Sequence, residues 1–145
     1  MTNATLEKFG FPRTAVAEIG RWTVLVRPKQ PTLGSLVLVC RDEAKAFSEV
    51  SSEAFVDLGR AVSKIERVLK AHVAYERINY LMLMMVDPDV HFHVIPRYEG
   101  TRERAGAVYE DKGWPGPPNL ASGIDLEGEA LDALVAELKS RWAEA

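Results

Sequence analysis

Cysteine is almost missing: Cys40 is the only one among 145 residues, which excludes an intramolecular disulfide and any cysteine-rich zinc site. A reducing, cytoplasmic setting is the simple expectation. Long apolar runs are missing as well. The longest, Tyr80 to Val86, falls far short of the roughly 20 residues that span a bilayer, so no membrane contact is expected. Met1 to Ala15 carries Glu7, Lys8 and Arg13 and lacks the apolar core of roughly 7–15 residues that marks a secretory signal. Nor is there a cationic excess. Eighteen Lys and Arg against 21 Asp and Glu give a net charge of −3, and no basic stripe is dense enough to neutralise a run of phosphates, so nucleic acid is not an expected partner.

What is present is the balance of a folded globular chain, 47% hydrophobic and 27% charged. Arg21 to Arg27 and Ser35 to Cys40 are short β-branched runs separated by Pro28, Pro31 and Gly34, and they read as two adjacent strands. From Ser51 the apolar residues Phe55, Leu58, Val62, Ile65 and Leu69 recur every three or four positions, which predicts an amphipathic helix to about residue 72. Ser51 or Ser52 is its expected N-cap, and Glu53 suits the helix dipole. Ile78 to Val86 reads as a central strand covered on both faces. Asp87-Pro88-Asp89 is a turn signal, and a strand follows from about Val90 to Arg97. Gly100 to Gly123 is rich in Gly, Pro and charge and is expected to be irregular. Leu131, Leu134, Val135, Leu138 and Trp142 mark a C-terminal amphipathic helix over about 126–143. Hairpin-length links cannot make parallel crossovers, so the fold class is α+β, a mostly antiparallel sheet with one long helix and a C-terminal helix. The expected organisation is one domain over 1–145 with its core at about 20–98.

Two of the three histidines, His91 and His93, stand two residues apart on a predicted strand. Alternation places them, with Asp89, on one face and Val90, Phe92 and Val94 on the other. Successive same-face residues lie about 6.6–6.8 Å apart, close enough for both imidazoles to touch one phosphate or one metal ion. Three readings fit: two histidines that merely share a solvated sheet face, a metal site of Asp89, His91 and His93, or a catalytic pair. His72 continues the helix stripe and suits a helix-end or half-buried position.

Val90-His91-Phe92-His93-Val94-Ile95-Pro96-Arg97 resembles the signature of the histidine triad (HIT) superfamily, in its diadenosine polyphosphate hydrolase-like bacterial branch. The order of elements over about residues 20 to 98 is similar to that family's as well. The resemblance implies a homodimer without cofactor or metal, acting on a nucleotide as phosphohydrolase or nucleotidyl transferase. It places the middle histidine of the triad at His91, as nucleophile on the α-phosphorus, and the last at His93, as donor to a phosphate oxygen. Attack needs an unprotonated imidazole, so activity is expected to fall on the acid side of neutrality. The pattern departs at Asp89, where the first histidine usually stands, and in the loop before the motif, reduced here to Val86-Asp87-Pro88. Arg27 takes a position that commonly holds a ribose-binding Asn or Asp, and Ser35 one that holds a His. Asp89, Arg27, Arg97 and Ser35 are thus expected substrate contacts; Arg27 suits phosphate, since a guanidinium cannot accept from ribose hydroxyls. Trp114 is a candidate cover for a base or a dimer partner, and Trp22, Phe9 and Phe11 for the wall of a base pocket. A nucleotide-binding module with little catalysis and a metal-binding H-x-H protein are the alternative functions.

Overall fold

The computed structural model describes residues 3–145; Met1 and Thr2, the first residues of the stretch read for a signal, lie outside them. The chain runs α1 (Ala4–Lys8), β1 (Ala15–Ile19), β2 (Trp22–Val26), β3 (Lys29–Gln30), β4 (Leu36–Cys40), α2 (Ser52–Val73), β5 (Arg77–Leu81), β6 (His91–Arg97), β7 (Thr101–Arg104), β8 (Ala107–Glu110), β9 (Ile124–Asp125) and α3 (Gly128–Glu144). Five strands form one antiparallel sheet in the order β1-β2-β4-β6-β5. The α+β class with a mostly antiparallel sheet is therefore as the sequence implies.

One face of the sheet packs on the two long helices. Ser51 caps α2 by accepting from the Ala54 amide at 3.1 Å, and burial of Ala54, Ala61, Ile65, Val68 and Leu69 seats the helix. The small side chains of Ala54 and Ala61 let it come close. Trp22, fully buried, donates its indole N–H to the Ala54 carbonyl at 2.7 Å. This rotates the helix relative to the expected stripe and leaves Phe55 42% exposed against Phe47. Leu131, Leu134, Val135 and Leu138 bury the expected face of α3. Gly34, at φ +86, turns the chain into β4 where a Cβ would stand 2.9 Å from the Val73 side chain, so the turn needs glycine for both backbone and space.

Three expectations change. The apolar run Ile78–Val86 is not a central strand: β5 ends at Leu81 and lies at the sheet edge. Ile78, Tyr80, Met82 and Met84 pack on the core, while Leu83, Met85 and Val86 are exposed. The central position belongs to β6, which pairs with both β4 and β5. The stretch 100–123 is not irregular throughout, because β7 and β8 form a hairpin. Its two-residue turn, Ala105-Gly106, has positive φ at both residues, the turn whose twist matches paired strands. Finally, the second sheet face is not solvated; Leu6, Phe9, Phe11 and Ala15 pack over Leu25, Val37 and Val39.

Candidate active site

The histidine strand owes its place to pairing on both edges. His91 stands opposite Val39 and His93 opposite Val37, while Leu81 faces His93 from the other neighbour. Cross-strand partners share a face, so the two imidazoles lie on the side covered by the N-terminal segment, whereas Phe92 lies on the helix side against Trp22. The rings stand side by side, centroids 5.3 Å apart at 80°. Phe9 covers both, its ring 5.7 Å from His93 and 6.4 Å from His91. The pair is buried, His91 fully and His93 with 6% of its surface exposed.

Hydrogen bonds assign the ring protons. Nδ1 of His91 lies 2.7 Å from the Asp89 carbonyl, which only accepts, so Nδ1 carries the proton and Nε2 keeps a lone pair. That Nε2 is buried and has no hydrogen-bond partner among the described residues. An unsatisfied buried nitrogen costs about 1–3 kcal/mol, a cost met chiefly where a ligand completes the site. Asp87 Oδ2 lies 4.0 Å away, and Asp87 is paired with Lys8 at 2.7 Å. At His93, Arg27 donates Nε–H to Nδ1 at 3.3 Å, which puts the His93 proton on Nε2. Burial, then the positive charge of Arg27, pushes His93 down to about 4, so its ring is neutral near pH 7.

The other expected residues are distributed differently. Asp89 does not face the rings. Its carboxylate accepts from the Thr5 amide at 3.2 Å and hydroxyl at 3.0 Å and is paired with Lys45. Burial opposes its ionisation, but the bonds from Lys45 and Thr5 prevail and hold the carboxyl below the usual carboxylate range. The residue thus ties α1 to the entry of β6. Ser35 does not reach the histidines; it is fully buried in the β3–β4 turn and donates to the Thr32 carbonyl at 2.8 Å. Arg97 shares the histidine face by alternation, but its guanidinium is engaged by Asp111 at 2.7 and 3.1 Å, Asn79 at 2.7 Å and the Gly116 carbonyl at 2.9 Å. It borders a cavity of about 430 Å³ lined also by Arg77, Asn79 and Trp114, so Trp114 faces the same cavity as Arg97. Of the expected contacts, Arg27 alone meets a ring with its side chain, while Asp89 meets His91 only through its backbone carbonyl. Of the aromatic candidates, Phe9 walls the histidines, Phe11 packs beside it and Trp22 sits on the opposite face.

Lys8 and Asp87 are the residues that sequence reasoning missed. Asp87 was legible only as part of a turn, and Lys8 comes to the site across nearly the whole length of the chain between it and the motif. Counted together, Lys8, Arg27 and Lys45 outnumber Asp87 and Asp89 by one positive charge around the two rings, an environment suited to an anion. Among the described residues no group of three or more His, Cys, Asp or Glu is arranged to hold a metal ion, because the third member of the expected set, Asp89, faces Thr5 and Lys45. His72, at the end of α2, is buried rather than half-buried, 2.9 Å from Glu137 on α3. No helix among the described residues is long and apolar enough to cross a membrane.

Comparison with known proteins adds the following. The family model described as HIT domain matches residues 12–100. No curated protein matches in sequence. Among solved structures, a histidine triad (HIT) protein of Sinorhizobium meliloti 1021 superposes with a TM-score of 0.74 at 21% identity, over 97% of this chain and 96% of that one. A histidine triad protein of Marinobacter aquaeolei VT8 gives 0.74 at 18% identity, over 99% and 96%. The diadenosine triphosphate hydrolase of Plasmodium falciparum, solved in complex with cyclomarin A, gives 0.67 at 13% identity, over 92% and 78%.

Proposed function

The chain belongs to the HIT domain family, and from that footing we propose that it is a nucleotide phosphohydrolase or nucleotidyl transferase whose nucleophile is His91. The substrate class is a nucleotide with a good leaving group on its α-phosphate, such as a dinucleoside polyphosphate. In the first step the Nε2 lone pair forms a bond to the α-phosphorus, and the bond from phosphorus to the leaving oxygen breaks, giving a nucleotidyl-histidine. Water then attacks the same phosphorus and gives up one proton to solvent, the P–N bond breaks and Nε2 recovers its electron pair, releasing the nucleoside monophosphate. His93, protonated on Nε2, donates to a nonbridging oxygen as charge builds there. Phe9, which packs over both rings, supplies an apolar wall for the substrate, and the excess positive charge favours the phosphates.

The single observation that carries this reading is the bare, buried Nε2 of His91, held by the Nδ1–H bond to Asp89 O. The acting nitrogen is buried under Phe9 and Asp87, so substrate must displace the Lys8–Asp87 pair to reach it. That burial also favours a second reading, a nucleotide-binding module with little catalysis. Replacing His91 with Asn tests both: release of nucleoside monophosphate from dinucleoside polyphosphates or adenylylated amines is expected to fall on the order of a thousandfold or more. Unchanged turnover removes His91 as nucleophile, and tight nucleotide binding by calorimetry with no turnover in either protein supports the binding module.

A homodimer is part of the proposal. Strand β5 lies at the sheet edge, and the loop after it exposes Leu83 at 46%, Met85 at 89% and Val86 at 82%. An open strand edge beside exposed apolar side chains is a natural surface for a second copy. A cytoplasmic setting, expected from the single cysteine, is part of the proposal as well.

A further inference from the structure

Arg27 was expected to bind substrate phosphate, but its nearest engagement is with a side chain of the site. Its Nε–H donates to His93 Nδ1 at 3.3 Å while Nη1 donates to the Lys29 carbonyl at 2.8 Å. The second bond anchors the guanidinium in the turn that follows β2, and Lys29 is itself held in the two-stranded pairing of β3 with β9. Gln30 adds to this by donating to the Arg27 carbonyl at 2.6 Å. A planar fork fixed at one corner aims its remaining N–H groups rigidly. We propose that Arg27 is a positioning residue that locks the tautomer of His93, so that this ring presents N–H rather than a lone pair to the phosphate.

The two histidines otherwise have the same chemistry, and either nitrogen of either ring can carry the proton. In this site opposite partners sort them. A carbonyl, which only accepts, takes Nδ1 of His91 and leaves Nε2 as a nucleophile. A guanidinium, which only donates, takes Nδ1 of His93 and leaves Nε2–H as a donor. One strand therefore holds a base and a donor two residues apart without a change in net charge. A protonated His93 would place an N–H against the Arg27 N–H, so the same contact keeps the ring neutral, in line with its low pKa of about 4. The charged or titratable groups facing that ring are Arg27, His91, Lys8 and Asp87.

The proposal rests on the reading of His93 as a donor, but its test does not need turnover. In full-length protein with ¹⁵N-labelled histidine, long-range ¹H–¹⁵N spectra at neutral pH are expected to show His93 as the Nε2–H tautomer. Arg27→Gln is expected to give a mixture of tautomers and a His93 titration moved up toward the ordinary histidine value, with the His91 signals unchanged. Arg27→Lys, which keeps the charge and loses the fixed fork, is expected to relax the tautomer while shifting the titration less. Wild-type His93 in the Nδ1–H form overturns the proposal, as does a tautomer unaffected in both variants; should neither variant fold, the wild-type spectrum decides alone. Where turnover is measured, kcat is expected to fall at least tenfold in Arg27→Gln. Absence of turnover in all proteins with the tautomer shift present would sink the hydrolase reading and leave this one standing.

Discussion

Replacing His93 with Gln should make the protein less sensitive to acid. His93 titrates near 4 in the folded state because burial, then Arg27, disfavours the imidazolium, whereas an unfolded histidine titrates near about 6.5. Between those values the unfolded chain binds more protons, so the stability that His93 contributes is complete above about pH 6.5 and is lost as pH falls toward about 4. From about pH 7.5 to about pH 5, the difference in proton binding amounts to about 2 kcal/mol for this one ring. His72, lowered to about 4 mainly by burial, changes stability in the same direction and is left intact by the substitution. Urea unfolding followed by tryptophan fluorescence should therefore show the wild type losing about 4 kcal/mol over that interval and His93→Gln about 2 kcal/mol. The comparison uses the slope with pH, so any fixed cost of the glutamine cancels. Equal losses in the two proteins would refute the argument that His93 is held neutral by its surroundings.

Asp111→Asn leaves the guanidinium of Arg97, 4% exposed, without its bidentate carboxylate, and breaking such a buried pair is expected to cost about 3–5 kcal/mol in denaturant unfolding; a loss under about 1 kcal/mol would show that Asn79 and the Gly116 carbonyl suffice. Met85→Asp places a charge in the exposed apolar loop beside β5 without touching the core, so light scattering should find a dimer in the wild type and a monomer in the variant. A wild-type protein that stays monomeric throughout the micromolar range counts against the proposed interface.

Much of the fold was legible because local patterning and packing agree. Ser51 caps the helix it was expected to cap, and the α3 stripe at Leu131, Leu134, Val135 and Leu138 is the buried face. The errors have physical causes. Ile78–Val86 is apolar for two reasons at once, core contact for Tyr80 and Met84 and exposed surface for Met85 and Val86, and a run of one composition cannot separate them. The hairpin in 101–110 joins a wholly polar strand, Thr101–Arg104, to Ala107–Glu110, where only Tyr109 is buried, so neither strand carried an alternating apolar pattern and the Ala105-Gly106 turn was its clearest signal. Ser35 and Asp89 were expected at the substrate from the family resemblance, and other groups occupy both, Thr32 within the same turn for Ser35 and Thr5 and Lys45 from distant segments for Asp89.

The spacing of His91 and His93 alone determined that two imidazoles would share one face, because side chains on a strand alternate whatever surrounds them. Patterning likewise determined an antiparallel α+β layer with its long helix. Which nitrogen of His93 holds the proton, and how deeply both rings are covered, was decided by tertiary structure, through Arg27 on a neighbouring segment and Phe9 from the N-terminus. A tautomer is set by the donor or acceptor opposite it: for His91 that is the Asp89 carbonyl two residues back on the same segment, whereas for His93 it is a guanidinium from a distant part of the chain.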